Sequence, residues 1–147
     1  MSDALVLSRL RRFLLAVSAL LFVGTLAELW LTGHDETAVQ LLPFALCGVG
    51  LAAVLCALLR PRRAAVLGLL ACMGLVAAGS LFGVYQHVAH NVAFQREVHP
   101  TATAGEVLMG AVAGANPLLA PGVLALAAVL SMAAAYRHPA LVKGRRE

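Results

Sequence analysis

Charge is scarce in this chain. Asp, Glu, Lys and Arg make up 12 % of its 147 residues, against about 25 % in soluble domains. A water-soluble domain of this length needs a polar surface, and there is too little charge here to cover one. Paired cysteines are also missing. Cys47, Cys56 and Cys72 all lie inside apolar runs and none sits in a C-x-x-C pair. That argues against a disulfide framework or a thiol-redox enzyme and makes them small, soft packing residues. Catalytic signatures are absent too: the chain has no G-x-S-x-G, no Walker-type glycine loop and no dinucleotide fingerprint. It shows no internal repeat.

Apolar residues, by contrast, make up 61 % of the chain. They gather in four runs, about 13–31, 41–59, 64–85 and 118–136. A helix rises about 1.5 Å per residue and the hydrocarbon core is about 30 Å thick, so roughly 20 apolar residues make one span. Lipid offers backbone groups no partner, and runs of this length satisfy them as helices rather than barrel strands. The first run also resembles a signal peptide, with Arg9, Arg11 and Arg12 ahead of it and Thr25-Leu26-Ala27 as a cleavage site. It is longer than the usual h-region of about 7–15 residues, so it is expected to be retained. The fold class expected is all-α, a single-domain four-helix transmembrane bundle.

Sidedness follows from the basic residues. Of the eleven, only Arg96 falls outside three clusters: Arg9, Arg11 and Arg12; Arg60, Arg62 and Arg63; and Arg137, Lys143, Arg145 and Arg146. Four spans place all three clusters on one side, which the positive-inside rule makes cytoplasmic. Glu28, Asp35, Glu36, Glu97 and Glu106 fall at or near the opposite, outer face. Both termini are therefore expected inside. The net charge of +4 reflects this membrane pattern and not a nucleic-acid partner.

The outer segment between spans three and four, about 86–116, is expected to form a short helical cap on the outer face, its short helix lying in the interface or folding back over the bundle. Span three should continue as a helix to about Val98 and end at His99-Pro100. Thr103 and Glu106 then read as a capping box opening a helix over about 104–115, and Asn116-Pro117 with Pro121-Gly122 start span four. Small residues recur at four-residue spacing in Gly48 and Ala52, Gly79 and Gly83, and Gly110 and Gly114. Such pairs permit close helix contact, within one chain or in a homodimer.

Polar groups at membrane depth are candidates for function. Glu28 is the only ionised residue inside an apolar run, and follows Arg12 by 16 positions, about 24 Å of helix. His34, His87, His90 and His99 lie on the same outer side. On a continuous helix, His87, His90, Phe94 and Glu97 form one stripe with Asn91 beside it. Arg96, the lone outer cation, is expected to pair with Glu28 or Glu97. Glu28, His34, Asn91, Phe94, Arg96 and Glu97 are thus candidate ligand or partner residues. His87 and His90 are candidate metal ligands, with Glu28, His34 or Glu97 completing the shell, since imidazole and carboxylate suit transition metals. The alternative to any site is a wet rim in which these groups bond one another and the headgroups. Spans two, three and four carry no charge and little polarity beyond Ser80 and Ser131, which leaves a monomer with no evident transmembrane pathway for ions or solutes.

Several stretches carry a resemblance. They are Glu28-Leu29 followed by His34, Gln40 and Pro43; Tyr85-Gln86-His87 followed by Asn91, Phe94 and Glu97; Pro117 to Gly122; and Tyr136-Arg137-His138-Pro139. Together they resemble a group of small, uncharacterised bacterial four-span membrane proteins, which implies the topology and no particular activity. The Ala, Leu and Arg bias fits a GC-rich bacterial genome and a plasma-membrane address. The expected role is non-enzymatic: an accessory bundle that binds lipid and a partner, either another membrane protein or a second copy, with no resident cofactor. The alternative is a protein that binds a transition metal or haem at its outer His/Glu cluster.

Overall fold

The computed structural model describes residues 2–114 and 118–142. Asn116, Pro117 and the basic residues Lys143, Arg145 and Arg146 lie outside the described residues. Within them every regular element is helical: α1 Asp3–Leu31, α2 Ala38–Leu59, α3 Arg63–Val98, α4 Ala104–Val112, α5 Leu119–Ala135 and α6 Pro139–Val142. Helices α1, α2 and α3 are long and apolar enough to cross a membrane. Helix α5, at 17 residues, is a shorter apolar helix. α1 begins at Asp3, well ahead of the apolar run, and carries its arginines on helical backbone.

Helix α1 packs against α2 and α5, and α3 packs against the same two. The four close a ring in which α2 and α5 barely touch. Phe22, Leu46, Cys47, Val54, Leu69, Met73, Val76 and Leu124 fill its centre. The outward faces are apolar as well. Only 22 %, 28 % and 28 % of the most apolar stretches of α1, α2 and α3 are buried, and Leu20, Leu59, Leu81 and Leu119 stand largely exposed. Soluble chains rarely expose contiguous apolar surface of this extent, so the exterior is built for lipid.

Two of the three small-residue pairs hold the chain's own helices together. Gly79 seats Leu46 of α2, whose Cδ1 occupies the space a Cβ would take, and Gly83 seats Pro121 of α5 at 3.1 Å. Gly110 and Gly114 seat Gln95 and Asn91, which clamps the segment of α4 onto α3. Gly48 meets nothing. Ser18 of α1 donates to the Ala127 carbonyl at 3.3 Å as well as to its own Leu14 carbonyl at 2.9 Å, and Ser80 donates to the Pro121 carbonyl.

The basic end holds a second device. Arg11 is buried, and its Nη2 donates to the carbonyls of Tyr136 at 3.3 Å and Arg137 at 3.0 Å. These are the C-cap of α5 and the residue after it. A cation there satisfies orphan carbonyls and meets the negative end of the helix dipole. Arg137 takes a left-handed φ of 48°, a conformation more often given to glycine at this position. The contact also fixes α1 and α5 as antiparallel.

Candidate functional site

At the opposite end the ring opens into a cavity of about 570 Å³ between α1, α2, α3 and α5. The ends of the helices shape it. α1 stops in a Schellman turn: Gly33 has φ 63°, the Gly33 N–H donates to Trp30 and the His34 N–H donates to Leu29 at 3.0 Å. The turn folds His34 back over the opening, half-buried. α2 starts with a capping box in which the Thr37 N–H donates to Gln40 Oε1 at 2.8 Å and the Gln40 N–H donates to Thr37 Oγ1 at 3.3 Å. Proline shapes the walls. Pro43 has no N–H for the Val39 carbonyl one turn earlier, and both residues line the space, as does Pro121 of α5.

The floor is apolar and the rim polar. Leu46, Leu124 and Pro121 lie below with the buried hydroxyls of Thr25 and Ser80, while Glu28, His34, Gln40, Gln86, His87 and His90 stand around the opening. His90 Nδ1 lies 3.1 Å from the Gln86 carbonyl. A carbonyl only accepts, so Nδ1 carries the proton and a neutral ring offers Nε2 as acceptor. Among the described residues the Glu28 carboxylate receives no hydrogen bond and forms no ion pair; Arg96 pairs with neither Glu28 nor Glu97.

The stripe expected along α3 therefore divides. His87 and His90 reach the cavity with Glu28 and His34; Asn91, Phe94, Arg96 and Glu97 do not. Asn91 is 2 % exposed, and its Nδ2 donates to the Ala111 carbonyl of α4 at 2.8 Å. It latches the cap rather than facing a ligand. Phe94, Arg96 and Glu97 are exposed because α3 outruns its neighbours: with 36 residues it extends about 54 Å, and only the α4 segment accompanies its last turns. α4 contributes nothing to the cavity lining. The short outer helix, expected to lie in the interface or fold back over the bundle, packs against α3 beside the opening. It is helical from Ala104 to Val112, three residues short of the expected end, and its capping box is present, with the Thr103 N–H donating to Glu106 Oε2 at 2.8 Å. These bonds hold the Glu106 carboxyl below its ordinary range, and the Coulombic influence of His99 adds to the effect.

The metal shell expected on His87 and His90, completed by Glu28, His34 or Glu97, is not assembled. Among the described residues no group of three or more His, Cys, Asp or Glu side chains is placed to hold a metal ion. Sharing a cavity wall is a looser condition than converging on one point. His90 is tied to its own helix, and Glu97 stands ten residues beyond His87, about 15 Å along the axis. Sequence reasoning did not place Thr25 and Ser80 at this site. Thr37-x-x-Gln40 and Leu31-Thr32-Gly33 were the signals for the two turns that frame the opening. The chain matches no protein-family model, no curated protein and no solved structure.

Proposed function

We propose that this chain is a four-span plasma-membrane protein with both ends on the cytoplasmic side, and that it serves as a non-enzymatic accessory whose outer cavity recognises an amphipathic molecule. Helix α5 is read as the fourth span. Its 17 residues reach about 26 Å, at the lower end of spanning lengths, and it packs along α1 and α3. Trp30, Tyr85 and Tyr136 support the placement. They point outward with 76 %, 65 % and 71 % exposure, near the ends of the apolar stretches, where interfacial aromatics concentrate. Arg9, Arg12, Arg60, Arg62 and Arg63 share an end with the Arg11–Arg137 contact, which supports the cytoplasmic assignment.

The observation that carries the binding role is the cavity itself. Polar groups are rare in these helices, yet they converge on one apolar-floored space whose volume falls within the roughly 300–1,000 Å³ of small-molecule sites. Among the described residues its lining holds one carboxylate, Glu28, and no Lys or Arg, so it suits a lipophilic cation better than an anion. The test is an isosteric pair, tetraphenylphosphonium and tetraphenylborate, titrated onto the purified full chain. Saturable binding that favours the cation, weakened at least tenfold in Glu28→Gln and lost in the cavity-filling Ala120→Phe, is expected. Binding that is unchanged in a folded Ala120→Phe refutes the site. A reporter fused after Glu147 that is active outside the cell refutes the topology.

A further inference from the structure

The basic end carries a separate space that the binding role above does not use. On the outward face between α2 and α3, Ala52, Ala53, Ala65 and Gly68 are too small to close the gap between the helices and leave an open groove of about 550 Å³. The space at Gly68 is real room: a Cβ there would meet nothing within 4 Å. Arg60 and Arg62 line the same groove, both exposed, and among the described residues no Asp or Glu does. They stand in the short link between the last residue of α2, Leu59, and the first of α3, Arg63. An apolar slot therefore runs along the helices and ends at two guanidinium groups.

We propose that this groove seats one anionic phospholipid, with an acyl chain against the alanine and glycine wall and the phosphate held by Arg60 and Arg62. Guanidinium matches phosphate in shape and charge. The link between two spans is at headgroup level, where basic residues attract anionic lipid, and an unfilled slot against the hydrocarbon takes up the nearest chain. A second copy docked face to face about a two-fold axis would set Arg60 and Arg62 against their own equivalents, so charge favours the lipid over a homodimer here.

The experiment strips the full chain of lipid in neutral detergent and adds phosphatidylglycerol or phosphatidylcholine with identical acyl chains. Native mass spectrometry counts what each chain retains. We expect one phosphatidylglycerol per chain, held at least tenfold more tightly than phosphatidylcholine, a difference of about 1.4 kcal/mol. Arg60→Gln with Arg62→Gln removes the headgroup preference. Gly68→Leu, which adds a side chain to the slot at a position where a Cβ meets nothing within 4 Å, lowers retention at least tenfold with both arginines intact. Equal retention of the two lipids overturns the proposal. So does undiminished retention in Gly68→Leu, which marks a charge-only association, and so does a dimer that occupies the groove and excludes lipid. If the double arginine variant does not fold, the headgroup comparison on the unaltered chain and the Gly68→Leu arm still decide.

Discussion

Two glycines on α2 stand two positions apart and meet opposite surroundings. A Cβ at Gly48 has nothing within 4 Å, whereas one at Gly50 would lie 2.5 Å from Phe22 Cζ and 2.7 Å from Cε1. Carbon atoms rest at about 3.5–4.0 Å, so Gly50→Ala forces an overlap of about 1 Å. Phe22 is fully buried, and a ring held between α1 and α2 has no free end to swing away. Overpacking of this kind costs about 1–3 kcal/mol. Both substitutions gain the same helix propensity, up to about 1 kcal/mol, so the difference between them isolates the clash. Gly48→Ala should match or exceed the unaltered chain, and Gly50→Ala should fall about 1–3 kcal/mol below Gly48→Ala. The assay is reversible unfolding in mixed micelles of rising dodecyl sulfate fraction, followed by far-UV circular dichroism. Phe22→Leu should be better tolerated beside Gly50→Ala than alone, with a coupling of about 0.5–3 kcal/mol. If the two alanine variants agree within about 0.5 kcal/mol, the Phe22–Gly50 contact does not hold α1 to α2.

Other expectations follow from named contacts. Arg11→Gln should destabilise the chain by about 1–3 kcal/mol, because the α5 carbonyls lose a charged donor; the same micelle titration reads it, and Arg12→Gln, on an exposed side chain, is the control. The Glu106 carboxyl is held below its ordinary range by Thr103. Its capping contribution should therefore be complete above a pH of about 4.3 and disappear as pH falls through the lower folded value. Hydrogen-exchange protection of α4 reports this, and Glu106→Gln, which caps without titrating, should flatten the profile. His138 is held below its ordinary value by burial and then by the Arg11 charge, and its Nδ1 accepts from the Ala140 N–H at 3.2 Å. The folded chain prefers the neutral ring, so this contribution is present above a pH of about 6.5 and lost as pH falls through the lower folded value. Thermal melts from pH 8 to pH 5 should show the loss, and His138→Gln should reduce it.

Much of the architecture was readable because lipid imposes simple rules. Run length set the long apolar helices, and His99-Pro100 marked the end of α3. Thr103 and Glu106 announced α4, since capping is a contact between residues three apart. The candidate site was half readable. Glu28, His34, His87 and His90 share the cavity, but Asn91, beside the predicted stripe, is buried under the α4 segment. Helical spacing gives an angle around one axis. It does not say which neighbour stands at that angle, nor how far along the axis that neighbour continues.

Composition and order along the chain determined that the exterior is apolar, that the elements are helices, and that the arginines gather apart from the acids, because each depends on residues near one another in sequence or on their transfer from water. Only the tertiary structure decided that Arg11 closes the end of α5, that Gly79 and Gly83 receive Leu46 and Pro121 from two different helices, and that two spaces remain open at opposite ends. Those are contacts across more than 30 positions, and they depend on how the helices lie against each other, a relation that no local pattern encodes.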